Sequence, residues 1–190
     1  MTKTRKALWS TLIVAVLGGL AAFGAFSAFS DTTSNDNNQF ATGSVTIGNN
    51  AVSPLYSVTN ATPGQTSTDH CIKITYTGSL PATVKVYRSA FTGGTTPNLS
   101  SYVTLTVTRG TGNAENCSDF SGSTQVYSGL LSAFATDWSS GLALNDQGGS
   151  AVWNNTDAVT YKFSAQVAND PNAEGLATGT HSFTWEAQNN

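Results

Sequence analysis

Val103-Thr104-Leu105-Thr106-Val107-Thr108 alternates an aliphatic side chain with a threonine at every step. Successive side chains on a strand point to opposite faces, so this stretch puts three apolar groups on one side and three hydroxyls on the other. A half-buried antiparallel strand satisfies both faces, and a helix would scatter them. The same period of two recurs through the chain. Ile72, Ile74 and Tyr76 alternate with Lys73 and Thr75, and Val84 and Val86 with Lys85 and Tyr87. Val159, Tyr161, Phe163, Ala165 and Val167 interleave Thr160, Lys162, Ser164 and Gln166, and Phe183, Trp185 and Ala187 close the series. A further strand is expected over 40–47, with Val45 and Ile47 on its inner face.

Turn chemistry separates these runs: Thr62-Pro63-Gly64-Gln65, Gly78-Ser79-Leu80-Pro81, Gly93-Gly94, Gly110-Thr111-Gly112-Asn113, Gly148-Gly149 and Asn169-Asp170-Pro171-Asn172. Six or more such strands predict an all-β fold, an antiparallel two-sheet sandwich of jelly-roll type. One stretch breaks the period. Tyr127, Leu130, Leu131, Phe134 and Trp138 recur at helical spacing, which predicts one short helix within 128–138 that packs on the sandwich.

The chain begins differently. Lys3, Arg5 and Lys6 precede an uncharged, mostly apolar run over 7–23, and Ala25-Phe26-Ser27 has the small residues read by a signal peptidase. Residues 1–27 are therefore expected to be a signal peptide, cut between Ser27 and Ala28. An uncleaved signal would be the chain's one attachment to a membrane. After cleavage Lys73, Lys85, Arg88, Arg109 and Lys162 face 11 acidic residues, which disfavours a phosphate-neutralising nucleic-acid surface.

Residues 28–39 follow, and beyond Ala28 and Phe29 they offer nothing to bury. Such a segment is free or taken up by a partner. The remaining chain, 40–190, is long enough for a single domain with its own core. In an exported chain the only two cysteines, Cys71 and Cys117, are most simply a disulfide. It would close a loop of about 46 residues, worth roughly 3–4 kcal/mol on the chain-entropy account.

No motif for chemistry emerges. There is no His-Glu-x-x-His, no Gly-x-Ser-x-Gly, no phosphate-cradling Gly-Lys-Ser/Thr loop and no spaced cysteine pairs. His70 and His181 are the only imidazoles, and His70 adjoins Cys71 on a strand, where the two point to opposite faces. Asp31 with Asp36, and Asp146 with Asp157, lack the spacing of a calcium loop and suit turns. No catalytic residue, metal site or cofactor is expected. Sheet edges are more informative: a free extended segment ahead of a sandwich can fill a neighbour's open edge, a head-to-tail contact that propagates as a filament.

Three places carry a family resemblance. Ala28-Phe29-Ser30-Asp31, a polar spacer and Phe40-Ala41-Thr42-Gly43-Ser44-Val45 form the first. The second is Val58-Thr59-Asn60-Ala61-Thr62-Pro63-Gly64-Gln65 with Tyr76-Thr77-Gly78-Ser79-Leu80-Pro81-Ala82, and the third is Thr180-His181-Ser182-Phe183-Thr184-Trp185-Glu186-Ala187-Gln188. In this order they resemble the TasA and camelysin family of exported proteins, which are processed by a SipW-type signal peptidase. The resemblance implies a jelly-roll subunit of biofilm-matrix fibres that donates its mature N-terminal strand, here Ala28, Phe29 and Asp31, to the next copy. The expected partners are copies of itself, with other matrix proteins or the cell envelope beyond them, in an extracellular or cell-surface location. Two other expectations compete: a secreted camelysin-type metalloendopeptidase, and a monomeric carbohydrate-binding sandwich using Trp138 and Trp153 as sugar platforms.

Overall fold

The computed structural model describes residues 42–189. The alternating stretches become strands, and their apolar faces meet. Strand β2 (His70–Tyr76), β3 (Ala82–Arg88), β4 (Val103–Thr111) and β8 (Ala158–Val167) supply most of the interior. Ile74, Tyr76, Val84, Leu105 and Val107 are fully enclosed. Each fully buried large apolar side chain contributes about 1.5–3 kcal/mol relative to exposure, so these four strands dominate the fold's stability.

Two antiparallel sheets face each other. The first runs β1 (Ile47–Asn49), β2, β8, β4 and β5 (Ser121–Leu130) in spatial order. In the second, β3 is central. Strands β6 (Leu142–Leu144) and β7 (Val152–Trp153) lie end to end along one edge of it, and β9 (Phe183–Gln188) lies along the other. Consecutive strands β2 and β3, β3 and β4, and β8 and β9 sit in opposite sheets, the crossing habit of a jelly roll.

The first expected strand is shorter and later than its sequence suggests. It starts at Ile47, and Val45 stays 36% exposed. Only Ile47–Asn49 pair with β2, as Ile47↔Tyr76, Gly48↔Thr75 and Asn49↔Ile74. Beyond them the Asn50 side chain takes over, accepting from the Lys73 amide at 2.7 Å, and the chain turns away.

The predicted helix within 128–138 is absent. Tyr127 and Leu130 lie on β5, and Leu131–Ala133 form a single 3-10 turn. The reason lies in Arg88. Its Nε donates to the Leu131 carbonyl (3.1 Å), its Nη2 to the Ser132 carbonyl (2.8 Å) and its backbone amide to the Ala135 carbonyl (2.8 Å). Carbonyls that a helix would give to amides four residues ahead are used by another strand. The apolar spacing is still used for packing: Leu131 and Phe134 are buried, and the Phe134 ring meets Tyr127 edge-on at 4.7 Å.

Candidate functional site

Cys71 and Cys117 are bonded, with Cα atoms 5.2 Å apart. Ile72 and Ile74 face the core, so Cys71 faces outward, and it is buried because the connection between β4 and β5 folds over it. That loop is shaped by Asp119, whose carboxylate accepts the amides of Asn113 (2.9 Å) and Ala114 (3.0 Å). These bonds, the Ala114 amide foremost, hold the Asp119 carboxyl below its usual range. The loop reaches the end of β1: the Asn50 side chain donates to the Asn113 carbonyl at 2.8 Å. The Glu115 carboxylate accepts the Val52 amide and, at 2.9 Å, the Ser53 hydroxyl. Disulfide and carboxylate together fasten the start of the segment 51–65.

That segment has no strand of its own and lies across the side of the sandwich where β1 and β9 come together. Neither strand has a further partner on its outer edge among the described residues. Between them a groove of about 730 Å³ opens toward the core. Its floor includes Ile72, Val103, Leu131 and Val167, its β9 wall Phe183 and Trp185, and its cover Leu55, Tyr56 and Val58. No Asp, Glu, Lys or Arg lines it among the described residues. The rest of the lining is polar and uncharged, with Asn49, Ser67, Thr180 and His181 among it, and Val52 and Val58 of the covering segment are exposed, Val52 to 92%.

At one end the cover is tied down. The Tyr56 hydroxyl lies 2.5 Å from His181 Nε2. The His181 ring is packed edge-on against Phe91 (4.9 Å) and Phe183 (5.6 Å). Burial lowers the His181 pKa, the Arg88 cation lowers it further, and a hydrogen bond to the Gly179 backbone opposes both. Burial also raises the Tyr56 pKa, so its hydroxyl keeps its proton. Gly179 has φ +70, and a Cβ there would collide with the Thr92 backbone, so glycine is needed for the chain to approach β9 in this way.

Arg88 is the second feature the sequence reading passes over. It follows Ala82, Val84 and Val86 on the inner face of β3 and is only 6% exposed. No carboxylate pairs with it among the described residues. Carbonyl oxygens of Leu131, Ser89 and Ser132 take its donors, and its guanidinium lies 4.2 Å over the Phe91 ring. Burial lowers its pKa. Parity on the strand was the available signal.

The other expected residues are scattered. Ser27, Ala28, Phe29 and Asp31 lie outside the described residues. His70 is on β2 and His181 precedes β9, and no group of three or more His, Cys, Asp or Glu able to hold a metal occurs among the described residues. Asp146 and Asp157 accept the amides of Ser150 and Asn154, both at 2.6 Å, so each shapes its own turn. Trp153 cannot serve as a sugar platform, since it is fully buried with its Nε1 donating to the Leu144 carbonyl at 2.8 Å, and Trp138 is half-buried with the Lys85 ammonium 4.9 Å from its ring centre. Strand β7 is only two residues long, so the sequence around Trp153 carries little pattern from which its burial can be read.

Fold and site together define a two-sheet antiparallel β-sandwich with an internal disulfide and a groove between β1 and β9 that has an apolar floor. No protein-family model matches the chain, and no curated protein does.

Proposed function

We propose that the chain is an exported structural subunit that joins copies of itself head to tail, residues 28–39 of one copy adding as a strand in the groove between β1 and β9 of the next. The observation that carries this reading is the groove itself. It has an apolar floor, no Asp, Glu, Lys or Arg among its described lining residues, and two flanking strands whose outer edges lack strand partners among the described residues. Strand addition uses such edges, because main-chain groups of the incoming segment complete the ladder. Phe29 is the apolar side chain that enters the groove. The contact uses one surface for giving and another for receiving, so it does not close on itself and repeats as a fibre.

Three further features support the reading. The apparent export signal supplies a free mature N-terminus. The disulfide fits a non-cytoplasmic compartment. The resemblance to TasA and camelysin points to extracellular matrix fibres and a non-enzymatic role. Electron microscopy and size measurement of the 28–190 protein, beside the same protein lacking 28–36, test the proposal. The longer form is expected to form fibres and the shorter a folded monomer. Normal fibres from the shorter form would overturn strand donation, and a 28–190 protein that stays monomeric at every concentration would favour a binding sandwich.

A further inference from the structure

The covering segment is fastened at its two ends and once in between. At its start the Val52 amide and the Ser53 hydroxyl donate to the Glu115 carboxylate. At its end the Gly64 amide donates to the Val167 carbonyl at 3.1 Å, and the Val167 amide to the Gln65 carbonyl at 2.8 Å. From 54 to 63 the bond between Tyr56 and His181 is the one hydrogen bond that leaves the segment among the described residues; the bonds of Thr62 go to Gln65, within it. A stretch with so few ties opens locally before the sheets do.

His181 sits where a charge is poorly served. It meets the Tyr56 ring from the cover, the Phe91 ring from the connection after β3 and the Phe183 ring from β9. The Arg88 cation of β3 acts on it, and no Asp or Glu lines the groove beside it. A protonated ring can still bond Tyr56, since a hydroxyl also accepts. What the closed cover denies the charge is water. Lifting Tyr56 bares one side of the ring, so the open form takes up a proton more readily than the closed one, and acid favours opening. We propose that the Tyr56–His181 contact is a pH-sensitive latch: protonation of His181 frees the cover over 54–63 and opens the groove between the cover's two fixed ends. The latch belongs to a single chain. Only its consequence, a receiving groove more accessible in acid, rests on the strand-donation reading above.

The test follows ring–ring nuclear Overhauser contacts in the monomer as pH falls from about 7.5 to about 4.5, across the free-imidazole value of about 6.5. The contact between Tyr56 and Phe183, whose ring centres lie 6.2 Å apart, is expected to fade in step with protonation of His181, read from its own imidazole signals. The contact between Phe183 and the buried Phe163, at 5.3 Å, is expected to persist. His181→Gln is neutral at every pH and should show a Tyr56 contact indifferent to pH. Should that variant fail to fold, the two wild-type contacts still decide. A Tyr56–Phe183 contact that survives full protonation of His181, or that is lost only together with the Phe163–Phe183 contact, overturns the latch, as does a His181→Gln protein that loses it in acid. These outcomes leave strand donation standing, because the measurement needs no fibres. A pH-sensitive cover in a protein that never assembles upholds the latch and overturns strand donation.

Discussion

The Tyr56 hydroxyl and His181 Nε2 lie 2.5 Å apart and join a segment without strands to the chain entering β9. Which of the two groups donates is set by the tautomer of the neutral imidazole. The bond holds the groove's cover in place across a wide sequence distance.

Removing it should loosen the cover and little else. Tyr56→Phe keeps the ring, which packs edge-on to Phe183 at 6.2 Å, and loses the hydroxyl. A cost of about 0.5–1.5 kcal/mol is expected. Hydrogen exchange should quicken at amides of 51–65 while those of β4 and β8 keep their protection. Uniform quickening across both sheets would show that the bond supports the whole domain instead.

Protonation of His181 should destabilise the domain. Burial, then the Arg88 cation, lowers its pKa in the folded protein, with the Gly179 bond opposing. The folded state thus binds this proton less tightly than the unfolded chain, where the pKa is about 6.5. The contribution of neutral His181 is complete above that value and declines as pH falls below it toward the lower folded pKa. Thermal unfolding midpoints should drop on acidification through this window, and His181→Gln should flatten the drop. Identical pH profiles for the two proteins would show that His181 does not contribute.

Loss of the disulfide should destabilise the domain and also loosen the segment fastened beside it. Replacing Cys71 and Cys117 together by serine is expected to lower stability by roughly 3–4 kcal/mol, read from denaturant unfolding under two-state conditions. The separation of 46 residues sets that magnitude. Exchange should also quicken at residues 50–53, which are held through Asn113 and Glu115. A protected 50–53 segment in the double variant would show that the carboxylate contacts suffice alone.

Arg88 should behave as a structural arginine. Arg88→Met fills similar space and leaves the Leu131 and Ser132 carbonyls without its donors. The expected loss is about 2–4 kcal/mol, accompanied by a weaker near-ultraviolet circular dichroism signal from the Tyr127–Phe134 pair. Arg88→Lys should recover only part of it, because one ammonium cannot reproduce the planar fork. A methionine variant as stable as the wild type would mean that water replaces the guanidinium at no cost.

The strands that make the core were legible because their pattern is local. Val103, Leu105 and Val107 face inward as their alternation requires, as do Val159, Tyr161 and Phe163. Strands β5, β6 and β7 were not legible. Residues Ser121–Gln125 of β5 are exposed on both faces, so no periodicity records them. The groove was hidden for a different reason: Ile72 and Trp185 each read as ordinary core residues, and only their meeting at an open side makes a site.

From sequence alone came the sheet-forming faces, the turns between them, the cysteine pair and the polar segment ahead of the domain, because each depends on neighbours along the chain. The tertiary structure decided that the stripe from Tyr127 to Trp138 is not a helix, since Arg88 from β3 takes its carbonyls. It also decided that the Trp153 indole is satisfied and that the Trp185 indole has no hydrogen-bond partner among the described residues. Hydrogen bonds between residues far apart in sequence carry no periodic trace, so partners of this kind appear only when the sheets are assembled.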